Sequence, residues 1–281
     1  ALRGVWRKLA ADAGCAAPSD VVLALPGPVY AGKVAALPTL TGGSRFFLDA
    51  ASSAAAVWPA ARLWICNDLT LAGFGQITAD RRDFLITTIG SGIGSKLFIG
   101  GTPLTGRAGM GGEIGHWTVP GAPPLECDCG GRGHLGAVAS GRGIIAWFRR
   151  RAVDDPRGFQ RSALSGLDRL DAAAIVAAYH EDDRWTAATM EMPTQALAHA
   201  FGLIHLATGT ELFLLTGGMG GALGEKFCYR LADHCRSACW DTGLDWHRSV
   251  RCIVDADEAT LRGAALYAAV TNPDRDPADE Q

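Results

Sequence analysis

Apolar residues recur along this chain in two rhythms, and each change of rhythm marks an exchange between strand and helix. Val21-Val22-Leu23-Ala24-Leu25 is a compact apolar run halted by Pro26-Gly27-Pro28, which reads as a buried strand. Arg62 to Cys66, Asp83 to Ile89, Glu211 to Leu215 and Val250 to Val254 read the same way, and Lys96 to Ile99 pairs back across a glycine turn as a hairpin. Helical spacing appears first in Leu2 to Ala13, where Leu2, Val5, Trp6 and Leu9 share a face. It returns in Ala50 to Trp58, Ile144 to Val153, Asp171 to His180 and Thr186 to Ala207. Two later helices run from the end of the Thr216–Gly221 turn to about Ala238 and from Ala259 to Ala269. Strands alternating with helices predict an α/β protein with largely parallel sheets.

Neither rhythm holds between Gly100 and Gly143, a stretch rich in Gly and Pro that carries two cysteines. A loop of that length inside a compact domain is functional, or is tied down by something other than a core. Two α/β lobes are expected, over 1–100 and 101–270, with the boundary in the glycines near 100–112 and the final helix a candidate to cross back. The acidic tail, 271–281, is expected to fray.

Composition then removes whole classes of function. Twenty-six basic against 29 acidic residues leave a net charge of −3, unlike a protein that coats nucleic acid or anionic lipid. With 48% hydrophobic and 20% charged residues the balance is that of a folded chain rather than a disordered one. No apolar run reaches the ~18–20 residues of a membrane-spanning helix, and no leader pattern opens the sequence, so the expected location is the cytoplasm. The 36 glycines have no Gly-X-Y period and gather in a few short stretches. Eight cysteines, at 15, 66, 127, 129, 228, 235, 239 and 252, are few and unevenly spaced, which suits a metal cluster or buried thiols better than a disulfide framework.

Candidate chemistry sits in three places. His116 is followed by Cys127-Asp128-Cys129-Gly130-Gly131-Arg132-Gly133-His134, and two thiolates with two imidazoles make a full tetrahedral set for structural zinc. The alternative is two buried thiols beside unrelated histidines. Gly90-Ser91-Gly92 and Gly217-Gly218 each follow a strand, where glycine lets backbone N–H groups approach phosphate. Neither fits a Walker or dinucleotide fingerprint, so plain turns are the alternative. Asn67-Asp68 ends one strand and enters a helix. Asp68 is either an N-cap or a general base at the carboxyl end of a strand, where α/β ligands gather. Glu113 offers a second carboxylate near His116. His180, His199, His205, His234 and His247 show no partner pattern, and Cys228, Cys235 and Cys239 share a helix as packing residues.

Taken together these residues carry a resemblance. Gly112-Glu113-Ile114-Gly115-His116 followed by Cys-x-Cys-Gly-x-x-Gly-x-Leu resembles the signature of the ROK family of bacterial sugar kinases and repressors. Asn67-Asp68, Gly90-Ser91-Gly92-Ile93-Gly94, Gly217-Gly218 and Arg262-Gly263-Ala264-Ala265 match its other motifs in order, from Val21 to Ala269. The resemblance implies a two-lobed actin-like ATPase (ribonuclease H-like) fold with a zinc-bound loop. It implies an ATP- and Mg2+-dependent kinase of a sugar or cyclitol, with Asp68 as base and Asn67, Glu113 and His116 on the acceptor. Nucleotide would meet Gly90, Ser91, Gly92, Gly217 and Gly218, and zinc would be held by His116, Cys127, Cys129 and His134. The expected partners are the small molecule and a second copy in a homodimer, with no nucleic acid and no membrane.

Departures from the family pattern are specific. Its opening Asp-x-Gly-Gly-Thr loop has no counterpart in the sequence, and no helix-turn-helix segment precedes Val21. His134 replaces a third zinc cysteine, Gly136 an acceptor-binding glutamate, and Thr39 an asparagine. Lost polar partners change discrimination between substrates, so hexose, amino-sugar and cyclitol acceptors all stay open. The alternative from another class is a non-catalytic sugar-binding or regulatory protein on the same fold.

Overall fold

The computed structural model describes residues 18–35, 47–253 and 256–271, with positions 4, 8, 11 and 12 before them. Most of the expected helix over Leu2 to Ala13, position Thr39 and the tail after Thr271 lie outside the described residues. Two compact units form, one from 1–76, 106–110 and 257–281, the other from 77–105 and 111–256.

In the first unit β1 (Asp20–Leu25) pairs in parallel with β5 (Arg62–Asn67), Asp20 opposite Arg62 and Leu25 opposite Asn67. Inward positions alternate as strand geometry requires: Val21 and Leu23 on β1, Trp64 and Cys66 on β5. Val21 and Leu23 pack with Ala54 and with half-buried Trp58, Leu63 and Ile65. Three two-residue strands, β2 (Val29–Tyr30), β3 (Lys33–Val34) and β4 (Leu48–Asp49), form an antiparallel sheet before helix α1 (Ala50–Ala55). Helix α2 (Asp68–Phe74) leaves β5 directly and is buried from Leu69 onward.

The second unit holds a five-stranded sheet in the order β10-β9-β6-β7-β8. β6 (Phe84–Ile89) and β7 (Ile93–Ile99) form the expected hairpin, with β8 (Thr102–Pro103) antiparallel at the edge. Helices α3 (Leu135–Ala139), α4 (Gly141–Asp154), α5 (Ala172–His180) and α6 (Arg184–Thr208) follow. Then come β9 (Phe213–Thr216), α7 (Gly218–Ala238) and β10 (Val250–Cys252). α7 is broken at Gly224, whose φ of 65° and ψ of −159° are not helical. The core joins Leu85, Ile89 and Leu97 of the sheet to Phe148, Leu197, Phe201 and Phe227 of the helices. Phe201 stacks on Phe213 with ring centroids 4.8 Å apart.

Two expectations change. The sheet is mixed: β6, β9 and β10 run parallel, whereas β7 and β8 are antiparallel. The chain also passes between units first at 76/77, because the β6–β7 hairpin belongs to the second sheet, and it returns to the first unit for 106–110 within the expected boundary region. The final helix, α8 (Ala256–Val270), does cross back to the first unit. There it meets α2 backbone to backbone. A Cβ on Gly263 would fall 1.8 Å from the Leu71 carbonyl oxygen, and one on Gly75 equally close to that of Ala259. Among the described residues no helix is long and apolar enough to cross a membrane.

Gly263→Ala is expected to lower unfolding stability by about 2 kcal/mol or more, since neither backbone can yield without opening the contact. Gly221→Ala, on an open face of α7 with nothing within 4 Å of the added carbon, should be neutral or stabilising by about 0.5–1 kcal/mol. Denaturant midpoints of the two variants and the parent provide the comparison.

Candidate functional site

His116 closes a 3-10 turn, Ile114–His116, that lies on β7. Gly115 makes the approach possible, because a Cβ there would sit 2.2 Å from the Ile93 carbonyl oxygen. The buried Lys96 ammonium donates to the Gly111 carbonyl at 2.5 Å and the Ser95 hydroxyl donates to that of Gly112, anchoring the segment before the turn. Beyond it the chain folds back on itself. Cys127 N–H donates to the Gly131 carbonyl and Gly130 N–H to that of Cys127, both at 2.8 Å. Val119 N–H donates to Gly133 and Leu135 N–H to Trp117, each at 2.9 Å, which brings His134 to the start of α3.

The result is a cluster. One ligand atom each from His116, Cys127, Cys129 and His134 lies within 4.8 Å of all the others. Cys127 Sγ is 3.7 Å from His116 Nδ1, and Cys129 Sγ is 3.3 Å from His134 Nδ1. Tetrahedral bonds of 2.0–2.3 Å set ligand separations of about 3.3–3.8 Å, so the donors are spaced to receive one metal ion. Burial and the neighbouring His134 ring hold the His116 imidazole below its ordinary pKa, in the neutral form a metal needs. Burial pushes the Cys127 thiol up, so a metal entering there would displace a proton. Half-buried Glu113 immediately precedes the 3-10 turn, its carbonyl accepting from His116 N–H at 3.2 Å.

Both glycine turns lie at one end of the same sheet. β6 and β9 are parallel neighbours with Thr88 opposite Thr216, so Gly90–Gly92 and Gly217–Gly218 emerge side by side. Gly217 has a φ of 89°, and a Cβ on it would meet Thr88 Oγ1 at 2.4 Å. Arg142, on α4, reaches both this end of the sheet and the Cys/His loop. Its Nε donates to the Ser91 carbonyl at 2.7 Å and its terminal nitrogen donates to the Asp128 carboxylate. Sequence patterns did not single out Arg142. A glycine-flanked arginine 51 positions from its partner carries no local signal.

Asn67 and Asp68 belong to the first unit, and the capping role falls on Asn67 rather than on Asp68. Asn67 Oδ1 accepts from Thr70 N–H at 3.1 Å while its amide donates to the Gly27 carbonyl at 3.0 Å. Only a residue one step before the helix can reach that N–H, which leaves Asp68 as the first helical residue. The Asp68 carboxylate is exposed at the end of β5 and accepts from Leu69 N–H at 2.8 Å. Burial, with Asp68 beside it, pushes the Cys66 thiol up to about 12, so that sulfur is inert packing. Cys228 and Cys235 are likewise core residues of α7, and His205 is buried with Nδ1 2.9 Å from the Thr210 carbonyl.

A sequence model of the ROK family matches residues 10–270. A C(7)-cyclitol 7-kinase from Streptomyces hygroscopicus subsp. jinggangensis is 36% identical over 91% of this chain and 75% of its own length. A glucokinase from Thermotoga maritima is 33% identical, over 48% of this chain and 42% of its own. Among solved structures, a ROK hexokinase from Thermus thermophilus superposes with a TM-score of 0.69 at 22% identity, covering 96% of this chain and 85% of that one.

Asn67→Ala removes both the cap and the tie to Gly27. It should lower unfolding stability by about 1–2 kcal/mol, read from the denaturant midpoint.

Proposed function

The chain belongs to the ROK family and is a sugar or cyclitol kinase, and we propose that within this class it moves the terminal phosphoryl group of ATP to a hydroxyl of a cyclitol. One observation carries the choice of acceptor: likeness to the cyclitol kinase runs through 91% of this chain, and likeness to the glucokinase through 48%. Gly136 agrees with it. Where a glutamate would hold a hexose hydroxyl, a residue without a side chain leaves that hydroxyl unrecognised.

Phosphoryl transfer asks the protein for position and charge neutralisation more than for covalent chemistry. Asp68 is the group we assign to the acceptor proton. A carboxylate can take that proton as the new bond forms, and this one stands exposed at a strand end. Asn67, Glu113 and His116 are assigned to acceptor hydroxyls. His116 turns Nδ1 toward Cys127, which leaves Nε2 for such a contact. Gly90, Ser91, Gly92, Gly217 and Gly218 are assigned to the nucleotide, whose phosphates travel with Mg2+. His116, Cys127, Cys129 and His134 are assigned to zinc, and the two-sulfur, two-nitrogen donor set and its spacing favour that ion. Zinc there supplies a structural cross-link.

Asp68→Asn should reduce kcat by roughly 10²-fold or more with little change in acceptor affinity or melting temperature. Steady-state kinetics on a panel of cyclitols and hexoses, with calorimetry for binding, measures this. Near-parental turnover in the variant would remove Asp68 from the base role. Elemental analysis should find one zinc per chain, and Cys129→Ala should lose it together with several degrees of melting temperature.

A further inference from the structure

The hairpin turn between β6 and β7 is gripped from one side. The Gly90 carbonyl accepts from Gly141 N–H at 2.8 Å and the Ser91 carbonyl from Arg142 Nε at 2.7 Å, both donors at the start of α4. The Gly92 carbonyl is taken within the turn by Gly90 N–H at 3.0 Å. No peptide bond here is cis, and in a trans peptide the C=O and the following N–H point in opposite directions. Drawing the Gly90 and Ser91 carbonyls toward α4 therefore turns the Ser91 and Gly92 N–H groups away from it. Among the described residues neither N–H meets an acceptor. Two successive N–H groups facing one way make a receptor for an anionic oxygen.

Arg142 is itself held. Its guanidinium is shared between the Ser91 carbonyl and the carboxylate of Asp128, the residue between Cys127 and Cys129. Both side chains are partly exposed, so as an isolated ion pair they would add little stability. The contact matters through direction: it fixes which way one peptide plane faces.

We propose that Arg142 is a positioning residue for the phosphoryl donor, orienting the Ser91–Gly92 peptide toward nucleotide phosphate, and that Asp128 makes this orientation depend on the Cys/His loop. The proposal rests on the assignment of Gly90–Gly92 to the nucleotide. Cys127 and Cys129, which would hold a metal, flank Asp128, so a metal bound there would fix Asp128 as well, and the loop would set nucleotide affinity without touching the nucleotide.

Calorimetric titration of the full-length protein with Mg-ATP tests the relay. Arg142→Ala should weaken Mg-ATP by about tenfold. Its KM for Mg-ATP should rise while its KM for the carbohydrate stays at the parental value. Arg142→Lys, which can reach one partner but not both, should recover part of the loss. Asp128→Asn should weaken Mg-ATP about threefold in the parent and have no further effect on Arg142→Ala, the non-additivity of a shared path. Removing the metal with a chelator should weaken Mg-ATP in the parent and leave Arg142→Ala unchanged. Parental affinity in Arg142→Ala would overturn the relay, as would equal rises in both KM values. A parent that binds no Mg-ATP would overturn the nucleotide assignment itself, and the relay with it.

Discussion

Thr88 stands opposite Thr216 at the end of a parallel pairing that begins with Leu85 and Phe213. Parallel strands finish at the same edge of a sheet, so whatever follows each one is delivered to the same place. Here that is one glycine turn after β6 and a second after β9. The register cannot drift, because Leu85, Ile86, Phe213, Leu214 and Leu215 are all buried, none more than 3% exposed. A slip by one residue would reverse every side chain between the two faces of the sheet. The relative placement of the two turns is thus a property of the core. Gly217 closes the arrangement, since any side chain there would strike Thr88.

The Cys/His loop obeys a different rule. Between Thr118 and His134 the apolar residues that reach the core, Val119, Ala122 and Leu125, are only half buried. Burial of that extent cannot order a Gly- and Pro-rich segment against its conformational entropy. Backbone hydrogen bonds across the small hairpin take the place of a core, and they bring two cysteine and two histidine side chains of metal-binding chemistry to one point. The Arg132–Glu126 ion pair on its surface adds little, as both partners are well exposed. Charge on Asp128 has a more specific use, because its partner arginine also grips the neighbouring turn.

Much of this was legible along the chain, and the misses have physical causes. Long periodic segments such as Thr186 to Ala207 lie inside the elements that form, and the apolar run expected over Asp83 to Ile89 forms a strand from Phe84 on. The donor set His116, Cys127, Cys129 and His134 was visible because residue type and close spacing together restrict the chemistry. The passage between units at 76/77 was not visible. Periodicity shows that 84–99 is a hairpin but cannot say which sheet it joins. The strands at 29–30, 33–34 and 48–49 are too short to display an alternation. Asn67 and Asp68 are both good capping residues, and only backbone geometry at the start of α2 separates them. Arg142 was hidden because its two partners lie 51 and 14 residues away, and adjacency of that kind is created by the fold.

The break in α7 at Gly224 bears on the electrostatics of the turn at Gly217. Peptide dipoles add along an uninterrupted helix and present a fractional positive charge at its first turn. In α7 the aligned peptides end after Leu223, and those beyond Gly224 belong to a separately directed segment. An anion arriving at Gly217 therefore meets the few amides of the opening turns, with little reinforcement from the remaining length. Attraction at that point is short-ranged and sensitive to orientation, so it favours a ligand already placed by other contacts over one drawn in from a distance.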